Sequence, residues 1–195
     1  MKTIFKLLLV SLTFFSSCTS DPIEPLLVLV DEPTPTPILD SLVTIPPSGL
    51  IPCADGQAGL YPCLGYDIHA LVSLETMGAS FGNDSWGWTD TLTGKEYAIM
   101  GVNDGTAFID ISTPDQPIYL GKLPTASDPS SWRDIKVYQD YAYVVSEAAD
   151  HGLQVFDLTR LRDITRVTRF IADASLNSFG NAHNIAINET SGFAY

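Results

Sequence analysis

Thr106-Ala-Phe-Ile-Asp-Ile-Ser112 recurs further along the chain as Leu153-Gln-Val-Phe-Asp-Leu-Thr159. The aspartates of the two segments, Asp110 and Asp157, are 47 residues apart. Short runs of β-branched and aromatic residues bounded by Gly, Asp and Pro are typical of strands. Self-similarity at a period of this size indicates a repeat architecture. The pair of segments therefore predicts an all-β fold built from repeated strand units.

The flanking sequence repeats at a similar spacing, 44 residues between Tyr97 and Tyr141. Tyr97-Ala-Ile-Met-Gly101 recurs as Tyr141-Ala-Tyr-Val-Val145, and a third start is Phe193-Ala-Tyr195. Another strand start precedes each unit, as Trp86-Gly-Trp88, Arg133-Asp-Ile135 and His183-Asn-Ile185. Three or four short strands in about 45 residues are typical of a β-propeller blade. We predict a β-propeller-like repeat of short antiparallel blades over residues 82–195, incomplete, with about two to three blades. A β-sandwich is the alternative, although it does not require this repeat.

Individual residues of the repeat carry further expectations. The predicted strands are Tyr97–Val102, Thr106–Ile111, Ile118–Leu123, Ile135–Tyr138, Tyr141–Ser146, Leu153–Leu158 and Asn184–Asn188. Because Asp110 and Asp157 recur, we expect each to make a structural hydrogen bond repeated in every blade. The three tryptophans are expected to pack between blades, or alternatively to form an exposed platform for glycans; they are Trp86, Trp88 and Trp132.

The N-terminus has the pattern of a secretory signal. Lys2 and Lys6 form a basic start, and residues 7–15 are an apolar stretch far shorter than the roughly 20 residues of a spanning helix. Two serines then precede Cys18, in a pattern that resembles a bacterial lipoprotein processing site. We predict a signal peptide at 1–17 and lipidation of Cys18, with ordinary cleavage and no lipid as the alternative. The mature chain would be secreted across the inner membrane and anchored by its lipid to the outer membrane or cell surface.

Two segments separate this anchor from the repeats. Residues 21–52 contain eight prolines, which favour an extended, semi-rigid spacer, so residues 18–52 are predicted to be an acidic stalk. Residues 53–81 form a leader segment that contains Cys53 and Cys63. A local disulfide between them suits an oxidising compartment, and two free thiols are the alternative.

Charge excludes one class of partner. The chain has 10 Lys and Arg against 23 Asp and Glu, for a formal net charge of -13. A surface this acidic repels phosphate, so nucleic-acid binding is not expected.

Several longer motifs resemble the choice-of-anchor B proteins, a bacterial family with LVIVD repeats. The motifs include Asn83-Asp-Ser-Trp-Gly-Trp-Thr-Asp90, Asp104-Gly-Thr-Ala-Phe-Ile-Asp-Ile-Ser-Thr-Pro114, Ser131-Trp-Arg-Asp-Ile-Lys-Val-Tyr138 and His151-Gly-Leu-Gln-Val-Phe-Asp-Leu158. The resemblance implies an extracellular propeller-like domain on a surface anchor, and no catalytic activity is established for the family. Similar proteins are considerably longer, so we expect a fragment that aggregates or folds loosely alone. A monodisperse monomer with a cooperative melt would contradict that expectation.

Candidate site residues come from the strand starts. Aligning the units places at similar positions Asp84, Arg133, Asp134, His183 and Asn184. In a propeller these positions line one mouth of the central channel, and Asp, Asn and His side chains suit a polar ligand, calcium or another divalent metal. The alternative is that they satisfy turns and hydrogen bonds between blades. His151 follows Glu147 and Asp150, and we expect a local salt bridge there.

Common nucleophile, zinc and phosphate-loop motifs are missing from the sequence. The expected function is therefore a non-enzymatic, surface-anchored module that binds extracellular protein or carbohydrate, or acts as a scaffold. A metal-dependent hydrolase or lyase at the channel mouth is the alternative.

Overall fold

The computed structural model of the chain describes residues 27–29, 36–37, 41–44 and 49–195. The predicted signal peptide, Cys18 and most of the predicted stalk lie outside the described residues. In the part described, the regular structure is β-strand together with one turn of 3₁₀ helix at Leu158–Leu161, which confirms the all-β prediction. None of the described segments is a helix long and apolar enough to cross a membrane.

The strands follow one another along the chain as short segments. They are β1 (Leu27–Leu29), β2 (Thr36–Pro37), β3 (Val43–Thr44), β4 (Gln57–Ala58), β5 (Tyr61–Pro62), β6 (Gly82–Thr89), β7 (Glu96–Val102), β8 (Gly105–Asp110), β9 (Ile118–Pro124), β10 (Arg133–Tyr138), β11 (Tyr141–Ser146), β12 (Leu153–Asp157), β13 (Thr168–Arg169), β14 (Ala174–Leu176), β15 (Ile187–Asn188) and β16 (Phe193–Ala194). Six of the seven predicted strands agree with β7 to β12 within two residues at either end. The seventh is reduced to β15.

Two sheets contain most of these strands. One has the order β2-β13-β9-β8-β7-β6, with β3 also paired to β9, and the other has the order β1-β14-β12-β11-β10. Neighbouring strands are antiparallel except β9 and β13, which are parallel. β4 with β5 and β15 with β16 form separate hairpins. None of these sheets closes on itself.

The main hydrophobic core lies between the two sheets. Phe108 of β8 stacks on Phe156 of β12 with ring centroids 4.7 Å apart, and both meet Phe170 edge-on. The neighbours of Phe108 in its strand, Ala107 and Ile109, belong to a second buried cluster on the other face of the same sheet. Because side chains alternate along a strand, β8 contributes to two cores, which explains why all six of its residues are buried.

The recurring aspartates form the structural hydrogen bond expected from the sequence. Asp110 accepts bonds from the backbone N–H and hydroxyl of Ser112, at 3.0 and 2.6 Å. Asp157 accepts the same pair of bonds from Thr159, at 2.9 and 2.7 Å. A short polar side chain that bonds two residues ahead fixes the turn at a strand end. The repeated motif therefore ends one strand in each sheet.

A buried ion pair joins distant parts of the chain. Asp90, directly after β6, receives two bonds of 2.8 Å from the guanidinium of Arg162, which follows the 3₁₀ turn. The hydrogen bonds from Arg162 hold the pKa of the Asp90 carboxyl well below its usual range, against the effect of burial. Nothing in the local sequence signals this contact.

The leader segment contains the expected cysteine pair. Cys53 and Cys63 are bonded, with Cα atoms 5.8 Å apart, and they bracket the hairpin of β4 and β5.

Candidate functional site

A cavity of about 330 Å³ opens where the first strands of the repeat units begin. Its lining contains all five candidate residues together with two more, Asn83 and Trp132. The structure thus brings the starts of β6 and β10, and the segment before β15, to one place. Whether a ligand occupies this cavity stays a prediction.

Backbone hydrogen bonds hold these strand starts together. The Asp84 carboxylate accepts a bond of 2.9 Å from the Ile135 N–H, and the Asp134 carboxylate accepts one of 2.7 Å from the Ile185 N–H. In each case the acid bonds a residue 51 positions ahead, in the next repeat unit. The same contact made twice ties each unit to its successor.

Lys136 joins the two carboxylates. Its ammonium lies 2.7 Å from Asp134 and 3.7 Å from Asp84. Burial alone would raise the pKa of Asp134, but the Lys136 and Ile185 bonds hold it below the ordinary value. Both acids therefore have a clear structural role in the cavity wall.

Arg133 lines the cavity, but its guanidinium makes hydrogen bonds in the interior of the protein. Its Nε donates to the Val102 carbonyl at 3.1 Å, one terminal nitrogen donates to Thr125 at 2.9 Å, and the other lies 2.9 Å from His151 Nε2. Burial lowers the pKa of Arg133 to about 10. This guanidinium holds the fold together and is not presented to a ligand.

The position of His151 corrects the sequence expectation. His151 is fully buried, and its Nδ1 lies 3.0 Å from the Gly152 carbonyl oxygen, to which it donates. The other nitrogen, Nε2, must then accept from Arg133, so the ring is neutral. The expected local salt bridge to Glu147 or Asp150 is wrong, because Gly152 and Arg133 already use both ring nitrogens and Glu147 instead pairs with His183.

The outer rim of the cavity is open. Trp132 is half exposed, and its ring lies 5.9 Å from that of His183. His183 is exposed and uses Nδ1 for Glu147, while its Nε2 has no hydrogen-bond partner among the described residues. Asn184 is exposed, and its amide has no hydrogen-bond partner among the described residues.

The tryptophans separate into two kinds, which corrects a second expectation. Trp88 is buried and stacks on Tyr97, and its indole N–H donates to Asp140, in the turn between β10 and β11, at 3.3 Å. Trp86 and Trp132 are 41% and 50% exposed, so buried packing between the sheets describes Trp88 alone among the three. Trp86 instead lies against the Lys136 ammonium, 4.7 Å from its ring centroid.

Sequence reasoning missed three contributors to this region. They are Asn83, whose side chain accepts the Arg133 N–H, Trp132 as a wall residue, and Lys136. The repeat could have identified the first, because Asn83, Arg133 and His183 are spaced by 50 residues. Lys136 has no counterpart of like charge in the other units.

No three side chains of the types His, Cys, Asp and Glu come together as a metal-binding group in residues 27–29, 36–37, 41–44 and 49–195. Calcium or another divalent metal at the cavity stays a prediction.

Comparison of the chain with protein-family models, with curated proteins and with solved structures finds no match.

Proposed function

We propose that this chain is a non-enzymatic, surface-anchored extracellular binding module with a β-propeller-like architecture, and that it binds its ligand at the cavity. The observation that carries the proposal is the convergence of three repeat units on one open, polar cavity. Concave sites lined by residues from several elements are the usual place for ligand recognition.

The pairing order supports the propeller-like part of the proposal. β6 to β9 form one antiparallel meander of four strands, and β10, β11, β12 and β14 form a second. Side-chain bonds from β6 to the backbone of β10 put the two first strands next to each other. Inner strands that adjoin in this way are the arrangement of successive blades. The hairpin of β15 and β16 would belong to a third blade.

The hydrogen bonds of the two acidic residues in the cavity wall favour binding over hydrolase or lyase chemistry. A general base must reach the substrate proton, and a metal ligand needs free lone pairs. Both oxygens of Asp134 are already used, one by the Ile185 N–H and one by the Lys136 ammonium. One oxygen of Asp84 accepts the Ile135 N–H. The rim residues Trp132, His183 and Asn184 are exposed, so a ligand can reach them. Such residues suit ligand recognition.

The resemblance to choice-of-anchor B proteins supports the remaining parts of the proposal. In this account Cys18 carries a lipid, residues 18–52 hold the module away from the membrane, and the module faces the cell exterior. Labelling cells with a palmitate analogue tests the anchor. The label should enter the wild-type protein and not the Cys18→Ser variant, and equal labelling of both would contradict the assignment.

A comparison of binding and turnover tests the function itself. The purified protein should bind an extracellular protein or glycan, and the Trp132→Ala and Asn184→Ala variants should bind less while keeping the wild-type circular dichroism spectrum. Turnover of a hydrolase or lyase substrate that disappears in His183→Ala would favour the enzymatic alternative. Ligand binding that both rim variants leave unchanged would place the site elsewhere.

A further inference from the structure

We infer that the ligand of this cavity is a neutral carbohydrate that stacks on Trp132; this rests on the binding function proposed above. Three features of the cavity favour such a ligand: the exposed indole, the hydrogen-bonding groups of the rim, and the charges of the wall.

Trp132 offers an exposed aromatic surface on a fixed backbone. Its backbone N–H donates to the Ser130 hydroxyl at 3.1 Å, and its carbonyl accepts from the Ser146 hydroxyl at 2.9 Å and from the Glu147 N–H at 3.3 Å. The backbone is thus held on both sides of the Cα while half of the residue stays exposed. A backbone held in place before binding loses little entropy when a ligand arrives. The electron-rich face of an indole suits the C–H face of a sugar ring, whose hydrogens carry partial positive charge.

The free polar groups of the rim include both donors and acceptors. The Trp132 indole N–H and the Asn83 amide N–H can donate, and His183 Nε2 can accept. Asn184 can do both through its amide. None of these atoms has a hydrogen-bond partner among the described residues. A sugar hydroxyl both donates and accepts, so a mixed set of this kind suits a polyhydroxylated ligand.

The charges of the cavity wall disfavour ionic ligands. An anion would meet the carboxylates of Asp84 and Asp134. A cation would compete for these carboxylates with the Lys136 ammonium, which already pairs with both. Ionic ligands are best bound by unpaired groups of the opposite sign, which this cavity does not present. A neutral ligand avoids both penalties.

Size limits the ligand to a short glycan or to the end of a longer one. The cavity, at about 330 Å³, lies near the lower end of the range of small-molecule sites, which is about 300–1,000 Å³. Such a volume holds one or two sugar rings, with Trp132 along one side.

Indole N–H signals in a ¹⁵N-labelled sample provide a residue-specific test. The chain has three tryptophans, so three such signals are expected. Candidate sugars come from a neutral-glycan array, and cellobiose, lactose and chitobiose are titrated with digalacturonate and butylammonium as the anionic and cationic probes. A neutral sugar should shift the Trp132 signal and leave that of buried Trp88 in place.

Two variants and one control make the test quantitative. Trp132→Ala should weaken binding of the sugar at least about tenfold, and Asn184→Asp should weaken it severalfold because a donor is lost. Tyr66→Ala removes another exposed aromatic residue, which is not part of the cavity lining, and should bind the sugar as the wild type does.

The outcomes separate this inference from the binding function on which it rests. If neutral glycans leave the Trp132 signal unmoved while a protein partner shifts it, the carbohydrate assignment fails and the binding function stands. Tighter binding of butylammonium by Asn184→Asp, without any response to sugars, would identify a cation site and overturn the assignment. If neither glycans nor protein partners shift the Trp132 signal, both proposals fail.

Discussion

Removing the Asp134 carboxylate should loosen the contact between successive repeat units. In Asp134→Ala the Ile185 N–H loses its acceptor, and Ile185 is almost fully buried, so water cannot replace the bond. An unsatisfied buried N–H costs about 1–3 kcal/mol. The Lys136 ammonium also loses its bond of 2.7 Å, but it can turn toward Asp84 or solvent, so this contribution is about 0.5–1 kcal/mol. We expect a total loss of about 2–4 kcal/mol.

Amide hydrogen exchange at Ile185 measures this loss directly. A decrease of 2–4 kcal/mol in the opening free energy corresponds to exchange about 30 to 1,000 times faster, since each 1.4 kcal/mol is tenfold. Asp134→Asn keeps an acceptor oxygen and should cost about 1 kcal/mol. Asp84→Ala is the matched comparison in the preceding unit, and it should cost less because the Asp84 side chain is 29% exposed against 8% for Asp134. Unchanged Ile185 exchange in Asp134→Ala would refute the reasoning.

Three further predictions concern other parts of the molecule. Burial, together with the neighbouring guanidinium, lowers the pKa of His151 below its unfolded value of about 6.5, so the unfolded chain takes up the proton first and stability falls as pH drops below about 6.5. Chemical unfolding at several pH values should show this loss, at most about 1.4 kcal/mol per pH unit, and equal pH slopes for His151→Gln and wild type would contradict it. Replacing both Cys53 and Cys63 by serine should cost about 2–3 kcal/mol and speed amide exchange in the loop they close; unchanged exchange there would contradict this. Gly121→Ala places a Cβ 1.9 Å from a carbonyl oxygen of β13 at a φ of +136°, and should cost about 3 kcal/mol in thermal unfolding. Gly180→Ala has open space around it and should melt as wild type does; equal melting temperatures for the two variants would refute the clash.

The two acidic residues of the cavity wall show that a sequence repeat can predict the position of a residue without predicting its role. The repeat alone predicted that Asp84 and Asp134 occupy similar positions, and the structure places both in the wall of one cavity. Their roles depend on the partners of each oxygen atom, and these partners lie in the following repeat unit. Spacing fixes where such a residue stands in its strand, but it does not reveal which backbone group faces the carboxylate.

The two expectations that the structure corrected, for His151 and for the tryptophans, also depend on residues that are distant in sequence. His151 has two acidic residues close in sequence, yet its ring is buried against Arg133, which is 18 residues away. Trp86 and Trp88 are two residues apart in β6 and therefore share one face of the strand, yet only Trp88 is buried. How far each ring is covered depends on the sheet that packs beside β6, and composition alone does not contain that information.

Interactions between residues close in sequence determined much of the secondary structure of this protein, independently of its tertiary structure. Alternating apolar runs and turn residues predicted β7 to β12, and the recurring aspartate predicted a structural hydrogen bond, because these features depend on neighbours a few residues away. The folded arrangement alone decided the use of Arg133, the pairing of Asp90 with Arg162 across 72 residues, and the exposure of Trp132 at the cavity. Each of these depends on which residues, far apart in sequence, come into contact in the protein interior. Those contacts are determined when the two sheets pack together.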